Sequence, residues 1–249
     1  MIELQRVSKN YNHLEQPVTA LHEIDLSIGR GEFVAIMGPS GSGKSTLLNL
    51  LSALDKPSTG RILLAGADIG TMSDDAVTVF RREKIGLIFQ FFNLLPTMTA
   101  VENVLLPVLL ARRAADADRE KAVRLLEQVG LGHRLTHKPS AMSGGEMQRV
   151  AVARAFMTEP PILLADEPTG NLDSNSGTEV LRLLRRQAEV HGTTVVMVTH
   201  DANAARVGSR LIVIRDGRIQ SDAPVATSAP SAGPAVHSPE QGTYAAPTA

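Results

Sequence analysis

Nine consecutive residues, Gly38-Pro39-Ser40-Gly41-Ser42-Gly43-Lys44-Ser45-Thr46, have the make-up of an anion cradle. Glycine lets the backbone bend tightly, so that successive N–H groups converge on phosphate oxygens. Lys44 adds a mobile cation suited to β- and γ-phosphates, and the Ser45 hydroxyl is of the type that ligates Mg²⁺. The apolar run Phe33-Val34-Ala35-Ile36-Met37 precedes the cradle, and the helical pattern Leu47-Leu48-Asn49-Leu50-Leu51 follows it. A helix therefore starts at the same place and adds its positive dipole end. A glycine-rich turn with no ligand does not call for the whole pattern and both flanks. The residues imply binding of a nucleoside triphosphate.

Two adjacent carboxylates, Asp166 and Glu167, follow the apolar run Ile162-Leu163-Leu164-Ala165. In open α/β sheets, ligands sit at the C-terminal edge of the strands. Side chains alternate along a strand, so the two acids should point differently. That suits Asp166 toward Mg²⁺ and Glu167 toward the water that attacks the γ-phosphate. The plain alternative is an acidic turn entering a helix before Pro168. Thr199-His200-Asp201 ends another apolar run, Thr194-Val195-Val196-Met197-Val198. A single histidine is more commonly a satisfied residue at the rim of a core, but at this edge His200 can donate to the γ-phosphate. Asp201 reads as a helix N-cap.

Two further stretches stay open on residues alone. Ser143-Gly144-Gly145-Glu146 has the spacing of a capping box, yet two glycines are costly if capping is the only task, and close backbone approach to an anion explains them as well. Tyr11, in Ser8-Lys9-Asn10-Tyr11-Asn12, is either a packing residue or a stacking platform for a flat ring, and its position alone favours packing.

The elements that must position these groups read as follows. Ile2 to Val7 and Leu21 to Ile28 alternate like half-exposed strands, with a turn at Gly29-Arg30-Gly31-Glu32. Gly60 to Gly66 and Ile85 to Gln90 are further strands. Val101 to Leu110, Glu120 to Val129 and Glu146 to Met157 carry helical periodicity, as though a helical lobe were set into a strand-helix-strand chain. Ile162 to Ala165 and Thr194 to Val198 are apolar enough for strands buried on both faces of a parallel sheet, with Gly177 to His191 as the crossover helix. Leu211 to Ile219 reads as a closing hairpin around Asp216-Gly217. From Asp222 the chain turns to alanine, proline, serine and glycine, which predicts a disordered tail over residues 222–249.

Composition sets the outer limits. The 249 residues suffice for one large domain with an inserted lobe, and 43% hydrophobic content supports a core. A formal net charge of −1 speaks against general nucleic-acid binding, so nucleic acid is not an expected partner. There is no cysteine, which excludes disulfides, thiolate metal sites and cysteine nucleophiles. No secretory signal and no membrane span are read, so the expected location is the cytoplasm.

Taken together, the motifs resemble the nucleotide-binding subunit of ATP-binding-cassette (ABC) transporters over residues 1–221. The order is the specific part: the phosphate loop, Gln90 closing a strand, Ser143-Gly144-Gly145-Glu146 with Met147-Gln148-Arg149, Asp166-Glu167, Asn171-Leu172-Asp173, then His200. Kinases, GTPases and helicases share the loop but not the Ser-Gly-Gly signature before the carboxylate strand. The resemblance implies an α/β fold, namely a P-loop NTPase cassette with a mixed sheet core (residues 1–90 and 156–221), an antiparallel β region and an inserted α-helical lobe (91–155). It implies that Tyr11 stacks on adenine and that Gln90 senses Mg²⁺ and the γ-phosphate, so that Lys44, Gln90, Glu167 and His200 form the catalytic set and Ser45, Gln90 and Asp166 the Mg²⁺ set. It implies that Ser143 to Glu146 meet the γ-phosphate from a second subunit, in a head-to-tail homodimer around two MgATP that Asp173 helps to form. Glu146 departs from the family's glutamine, which leaves it a weaker nucleotide contact than Ser143 and Gly145. Residues 89–104 and 168–173 look like the lipoprotein-releasing and macrolide-exporter branch, whose members work with permeases of few membrane helices and a large extracytoplasmic domain. That implies a peripheral place on the cytoplasmic membrane face, with Phe91, Phe92, Leu94 and Leu95 either docking the permease or packing in the core. Cell-division ATPases that signal without transport, and soluble non-transport cassettes, are the alternatives.

Overall fold

The computed structural model describes residues 1–12 and 17–225. The chain begins with two long strands, β1 (Ile2–Tyr11) and β2 (Val18–Ile28), followed by β3 (Phe33–Met37) and helix α1 (Lys44–Leu51). Next come β4 (Thr59–Leu64), the short β5 (Ala67–Asp68), α2 (Asp74–Lys84) and β6 (Ile85–Ile88). Three helices follow, α3 (Ala100–Leu109), α4 (Asp116–Gln128) and α5 (Gly144–Phe156). The chain then alternates through β7 (Ile162–Asp166), α6 (Ser174–His191), β8 (Thr194–Val198) and the single turn α7 (Ala202–Ala205). It closes with β9 (Arg210–Arg215) and β10 (Arg218–Pro224).

Two sheets result. One is antiparallel in the order β2-β1-β4-β5, and the other is mixed in the order β10-β9-β3-β8-β7-β6. Within the mixed sheet β9, β3, β8, β7 and β6 run parallel, and β10 returns antiparallel on the edge. The apolar runs explain this arrangement. Val34, Ile36, Leu164, Val196 and Ile212 face one core, which is shared with α1 and the antiparallel sheet. Phe33, Ala35, Leu163, Val195 and Met197 face a second core, packed by α3, α4, α5 and α6. Alternating residues thus fill opposite layers, as a strand covered on both faces requires. Helix α6 contributes Val180, Leu183 and Leu184, all at most 5% exposed, and each such burial favours the fold by about 1.5–3 kcal/mol.

The observed elements depart from expectation at several places: β1 runs on through Tyr11, β2 already starts at Val18, and the two-residue β5 was not expected. Helix α2 was not expected: only Val77 of its eleven residues is buried, and its few other apolar residues, Ala76, Val79 and Phe80, are set among six charged ones. Its Ser73 cap accepts from Ala76 N, and Asp74 and Asp75 occupy the first turn, so local capping and dipole terms carry it. The tail boundary at Asp222 is corrected as well. Asp222, Ala223 and Pro224 belong to β10, paired with Ile212, Leu211 and Arg210. The Arg210 guanidinium binds Asp222 through two 2.6 Å contacts and Glu32 at 3.0 Å, which fixes that end of the hairpin. The rest of the expected tail, from Ala226, lies outside the described residues. Among the described residues no helix is long and apolar enough to cross a membrane.

Candidate active site

Register brings the chemistry to one edge. Ile36 of β3 lies opposite Val198 of β8, Asp166 of β7 is level with Val198, and Ile88 of β6 is level with Ala165. The strands therefore end together, and the loops after β3, β8, β7 and β6 leave side by side. Those loops carry His200, Glu167 and Gln90, and the loop after β3 leads into Lys44, the first residue of α1. With Asp166, these four residues line one open cavity of about 610 Å³, together with Gly38, Ser40, Gly41, Gly43, Ser45 and Thr46. Pro39 and Ser42 belong to the same loop but not to the lining, and Ser42 is buried.

The loop's shape depends on glycine at two points. Gly38 has φ 158°, and a side chain there would run into the Ile214 carbonyl and Ser42 Oγ. Gly43 has φ 100°, and its Cβ would lie 2.6 Å from the Ala20 carbonyl. Gly43 caps α1, whose free backbone N–H groups open toward the cavity. Lys44 Nζ donates to the Gly38 and Pro39 carbonyls, both at 2.8 Å, so the ammonium lies folded over the loop.

The acids differ in setting. Burial raises the Asp166 carboxyl above the ordinary carboxylate range; Glu167 beside it raises it further, and Lys44 opposes both. Glu167 adopts φ 45°, a left-handed conformation that is strained for a non-glycine residue, while its N–H donates to the Val198 carbonyl at 2.9 Å. Its Oε1 lies 2.8 Å from His200 Nδ1, which leaves Nε2 of that imidazole for another partner. Gln90 is held by its backbone, whose carbonyl accepts from Asn171 Nδ2 at 3.0 Å, and its amide lies against Gly170.

The other expected residues lie outside this cavity. Ser143 caps α5: its Oγ accepts from Glu146 N at 3.2 Å, and Glu146 Oε2 accepts from Ser143 N at 2.8 Å. Glu146 Oε1 also accepts from Arg134 Nε at 2.9 Å. The Ser143 N–H, the Arg134 guanidinium and the Ser143 hydroxyl outweigh burial and hold the Glu146 carboxyl below its usual range. The capping reading of this stretch is therefore observed. Gly145 has a second cause, since a Cβ there would sit 2.4 Å from Ser176 Oγ, whereas Gly144 has ordinary room. Asp173 caps α6 by accepting from Asn175 N and Ser176 N at 3.0 and 3.1 Å, and it faces a different groove. Tyr11 lies opposite Val18, a residue of the cavity wall, with its hydroxyl 3.2 Å from Asp55 Oδ2 and Lys9 Nζ 5.0 Å from its ring centre.

Several neighbours carried no signal in sequence. Val18, Thr19, Ala20, His22, Asp216 and Gly217 wall the cavity. The Asp216-Gly217 turn was legible as a hairpin. Nothing marked that Gly217 N donates to Ser42 O at 3.1 Å, or that His22 N donates to Gly217 O at 2.9 Å, so that the turn braces the phosphate loop. The apolar cluster after Gln90 divides. Phe91 and Leu95 are exposed at 73% and 39%, Leu94 packs on the core, and Phe92 lies half-buried beside Gly144.

The chain shares this layout with known proteins. An uncharacterised ABC transporter ATP-binding protein of Methanocaldococcus jannaschii, MJ0796, is 47% identical over 226 residues, covering 89% of this chain and 96% of that protein. Its dimeric structure superposes with a TM-score of 0.84 at 46% identity, covering 90% of this chain and 99% of that one. A second dimeric structure of the same cassette, in a post-hydrolysis state with ADP and Pi, also gives a TM-score of 0.84. The macrolide export ATP-binding/permease protein MacB of Brucella melitensis is 49% identical over 222 residues, which span 89% of this chain and 34% of that protein. Residues 21–170 match the ABC transporter family model, and the chain belongs to that family as an ATP-binding cassette with ATPase activity.

Proposed function

We propose that the chain hydrolyses MgATP as one half of a head-to-tail dimer and passes the resulting motion to a membrane permease. The observation that carries this reading is a division of groups. The phosphate loop, Asp166, Glu167, Gln90 and His200 share one cavity, while the glycine-bearing N-terminus of α5 and Asp173 lie outside it. A second copy can bring its own Ser143 and Gly145 over the open mouth of that cavity, where a helix N-terminus suits a γ-phosphate. The dimeric MJ0796 structures support the arrangement.

Within one copy, Lys44 Nζ exchanges its two loop carbonyls for phosphate oxygens. Glu167 accepts the proton of the attacking water. His200, oriented through Nδ1 by Glu167, presents Nε2 to the γ-phosphate. Asp166, Ser45 and the Gln90 amide suit Mg²⁺, because they share one cavity and Mg²⁺ is typically held by one or two carboxylates with water and phosphate oxygens. When bound, the ion neutralises charge developing on the β- and γ-phosphates. Tyr11 stacks on the adenine in this reading, supported by its pairing with Val18 of the cavity wall. Hydrolysis removes the charge that joins the two copies, and they part.

For the membrane partner, the relevant surface is a groove of about 460 Å³ between α2, β6, α3 and α5, lined by Arg81, Arg82, Leu87, Leu106, Pro107 and Leu110. Leu110 is 69% exposed there, and Phe91 stands on the adjoining loop. Its proposed occupant is a cytoplasmic segment of a permease, a reading supported by MacB relatives that combine ATP-binding and permease functions in one name. Residues 91–155 then act as the lobe between that partner and the nucleotide.

The test is Glu167→Gln. Turnover should drop about 10²–10⁴-fold with MgATP binding kept, and light scattering should show the mass doubling when MgATP is added. A variant that binds MgATP yet stays monomeric overturns the sandwich. Undiminished turnover overturns the role of Glu167.

A further inference from the structure

Helix α5 reaches the active-site edge from behind with two buried polar side chains. Gln148 is fully buried, and its Nε2 donates to the Phe89 carbonyl at 3.3 Å and to the Pro168 carbonyl at 2.8 Å. Phe89 immediately precedes Gln90, and Pro168 immediately follows Glu167. Two carbonyl acceptors can be met only by the NH₂ end of the amide, which settles its orientation chemically. The other end, Oε1, is buried without a partner among the described residues. An apolar side chain of similar length would fill the same space and spare Oε1, but it would leave the Phe89 and Pro168 carbonyls without this donor, so the amide's task is to hold those two carbonyls.

Arg154, six residues further along the same helix and 9% exposed, donates to the Phe92 carbonyl at 2.8 Å and also to that of Asn93. Phe92 and Asn93 have φ of 56° and 49°, and Glu167 has 45°. The backbone around both active-site side chains is therefore held in left-handed conformations that non-glycine residues adopt only under constraint. Helix α5 supplies part of that constraint, since Arg154 holds the Phe92 and Asn93 carbonyls and Gln148 the Pro168 carbonyl, beside the bond from Glu167 N to the Val198 carbonyl.

We propose that Gln148 is a positioning residue for ATP hydrolysis. Its amide ties the backbone before Gln90 to the backbone after Glu167, so the helix capped by Ser143 sets the relative placement of those two groups. The side chain touches neither nucleotide nor water and acts through the two loops. The inference rests on Gln90 and Glu167 working as described above. It adds a residue to that site and a physical connection from the α5 N-terminus, the part offered to a second copy, back to the chemistry of its own copy.

The test is Gln148→Met in the full chain, with Gln148→Leu as a second apolar replacement should methionine pack badly. Thermal unfolding, ATP affinity and steady-state MgATP turnover are measured beside the wild type and Glu167→Gln. The expected result is a folded variant with a modestly lowered melting temperature, because two carbonyls lose their donor, with KM and ATP affinity within about twofold and kcat reduced about tenfold, since small misplacements of reacting groups cost that much or more. An unchanged kcat in a folded variant overturns the proposal. So does a kcat loss matched by an equal weakening of ATP affinity, because a purely structural residue disturbs binding and turnover together. Full turnover in Glu167→Gln removes the active-site reading beneath it, and that outcome is seen in a different variant.

Discussion

Asp166 carries a consequence that pH can expose. Burial raises its carboxyl, Glu167 adds to the effect, and Lys44 offsets part of it. A carboxyl raised by folding supports the fold while protonated, below its unfolded value, and that support is lost as pH rises through the folded value. At neutral pH the ionised Asp166 thus weighs against the nucleotide-free protein. Asp166→Asn is expected to raise the melting temperature of nucleotide-free protein at pH 7, with a smaller gain at acid pH, and to abolish the Mg²⁺-dependent gain in ATP affinity. A lowered melting temperature at pH 7 would show that burial of the charge is not what sets this carboxyl. Lys44 makes a separate prediction. Its two bonds to loop carbonyls are replaceable by water, whereas charged bonds to phosphate contribute about 1.5–3 kcal/mol each. Lys44→Ala should therefore weaken ATP binding by about tenfold to a hundredfold in calorimetry at unchanged melting temperature. Unaltered affinity would contradict the phosphate-loop assignment.

At the scale of elements, the contact between the starts of α5 and α6 is the most exacting. A methyl group on Gly145 would lie 2.4 Å from Ser176 Oγ and 2.8 Å from its Cβ. Helix propensity alone favours alanine over glycine by about 1 kcal/mol, so the sign of Gly145→Ala decides which effect wins. Overpacking of this kind costs about 1–3 kcal/mol, and urea unfolding should show a net loss of stability that Ser176→Gly recovers in the double variant. A stabilised single variant would mean the glycine serves something other than packing. The same region shows what sequence can and cannot carry. The Ser143–Glu146 cap was legible because spacing alone defines it. The partner that forbids a side chain at Gly145 was not, because Ser176 lies on another helix. Strands β3, β7 and β8 were legible as continuous apolar runs, and their C-terminal edge followed from parallel pairing. Helix α2 was hidden by its charge, and the end of β10 was hidden by an Ala-Pro composition that pairing with β9 and the Arg210–Asp222 contact override. Gln148 was visible as part of the stretch Met147-Gln148-Arg149 that follows the signature glycines, but its two acceptors were not, since they come from distant loops.

For the whole molecule, the question is how one cavity communicates with two partners. The nucleotide side is open and polar and awaits another copy. The groove at α2, β6, α3 and α5 lies on the far side of the Phe89–Asn93 loop, so Gln90 stands between nucleotide and groove. That loop is clamped from α5 by Gln148 and Arg154, which gives a load on the groove a short route to the active site. The groove is apolar along Leu87, Leu106, Pro107 and Leu110 and basic at Arg81 and Arg82, which suits an apolar permease segment that carries an acidic side chain. Replacing exposed Leu110 with Glu and exposed Phe91 with Ser puts a charge on the proposed docking face and removes an apolar ring without touching either buried core. The double variant is expected to keep partner-free turnover within about twofold of wild type and to lose the permease that co-isolates with tagged Glu167→Gln protein from native membranes in ATP. Retained co-isolation would move the membrane contact to another face. A parallel loss of partner-free turnover would mean that the two substitutions act on the Gln90 loop itself rather than on docking.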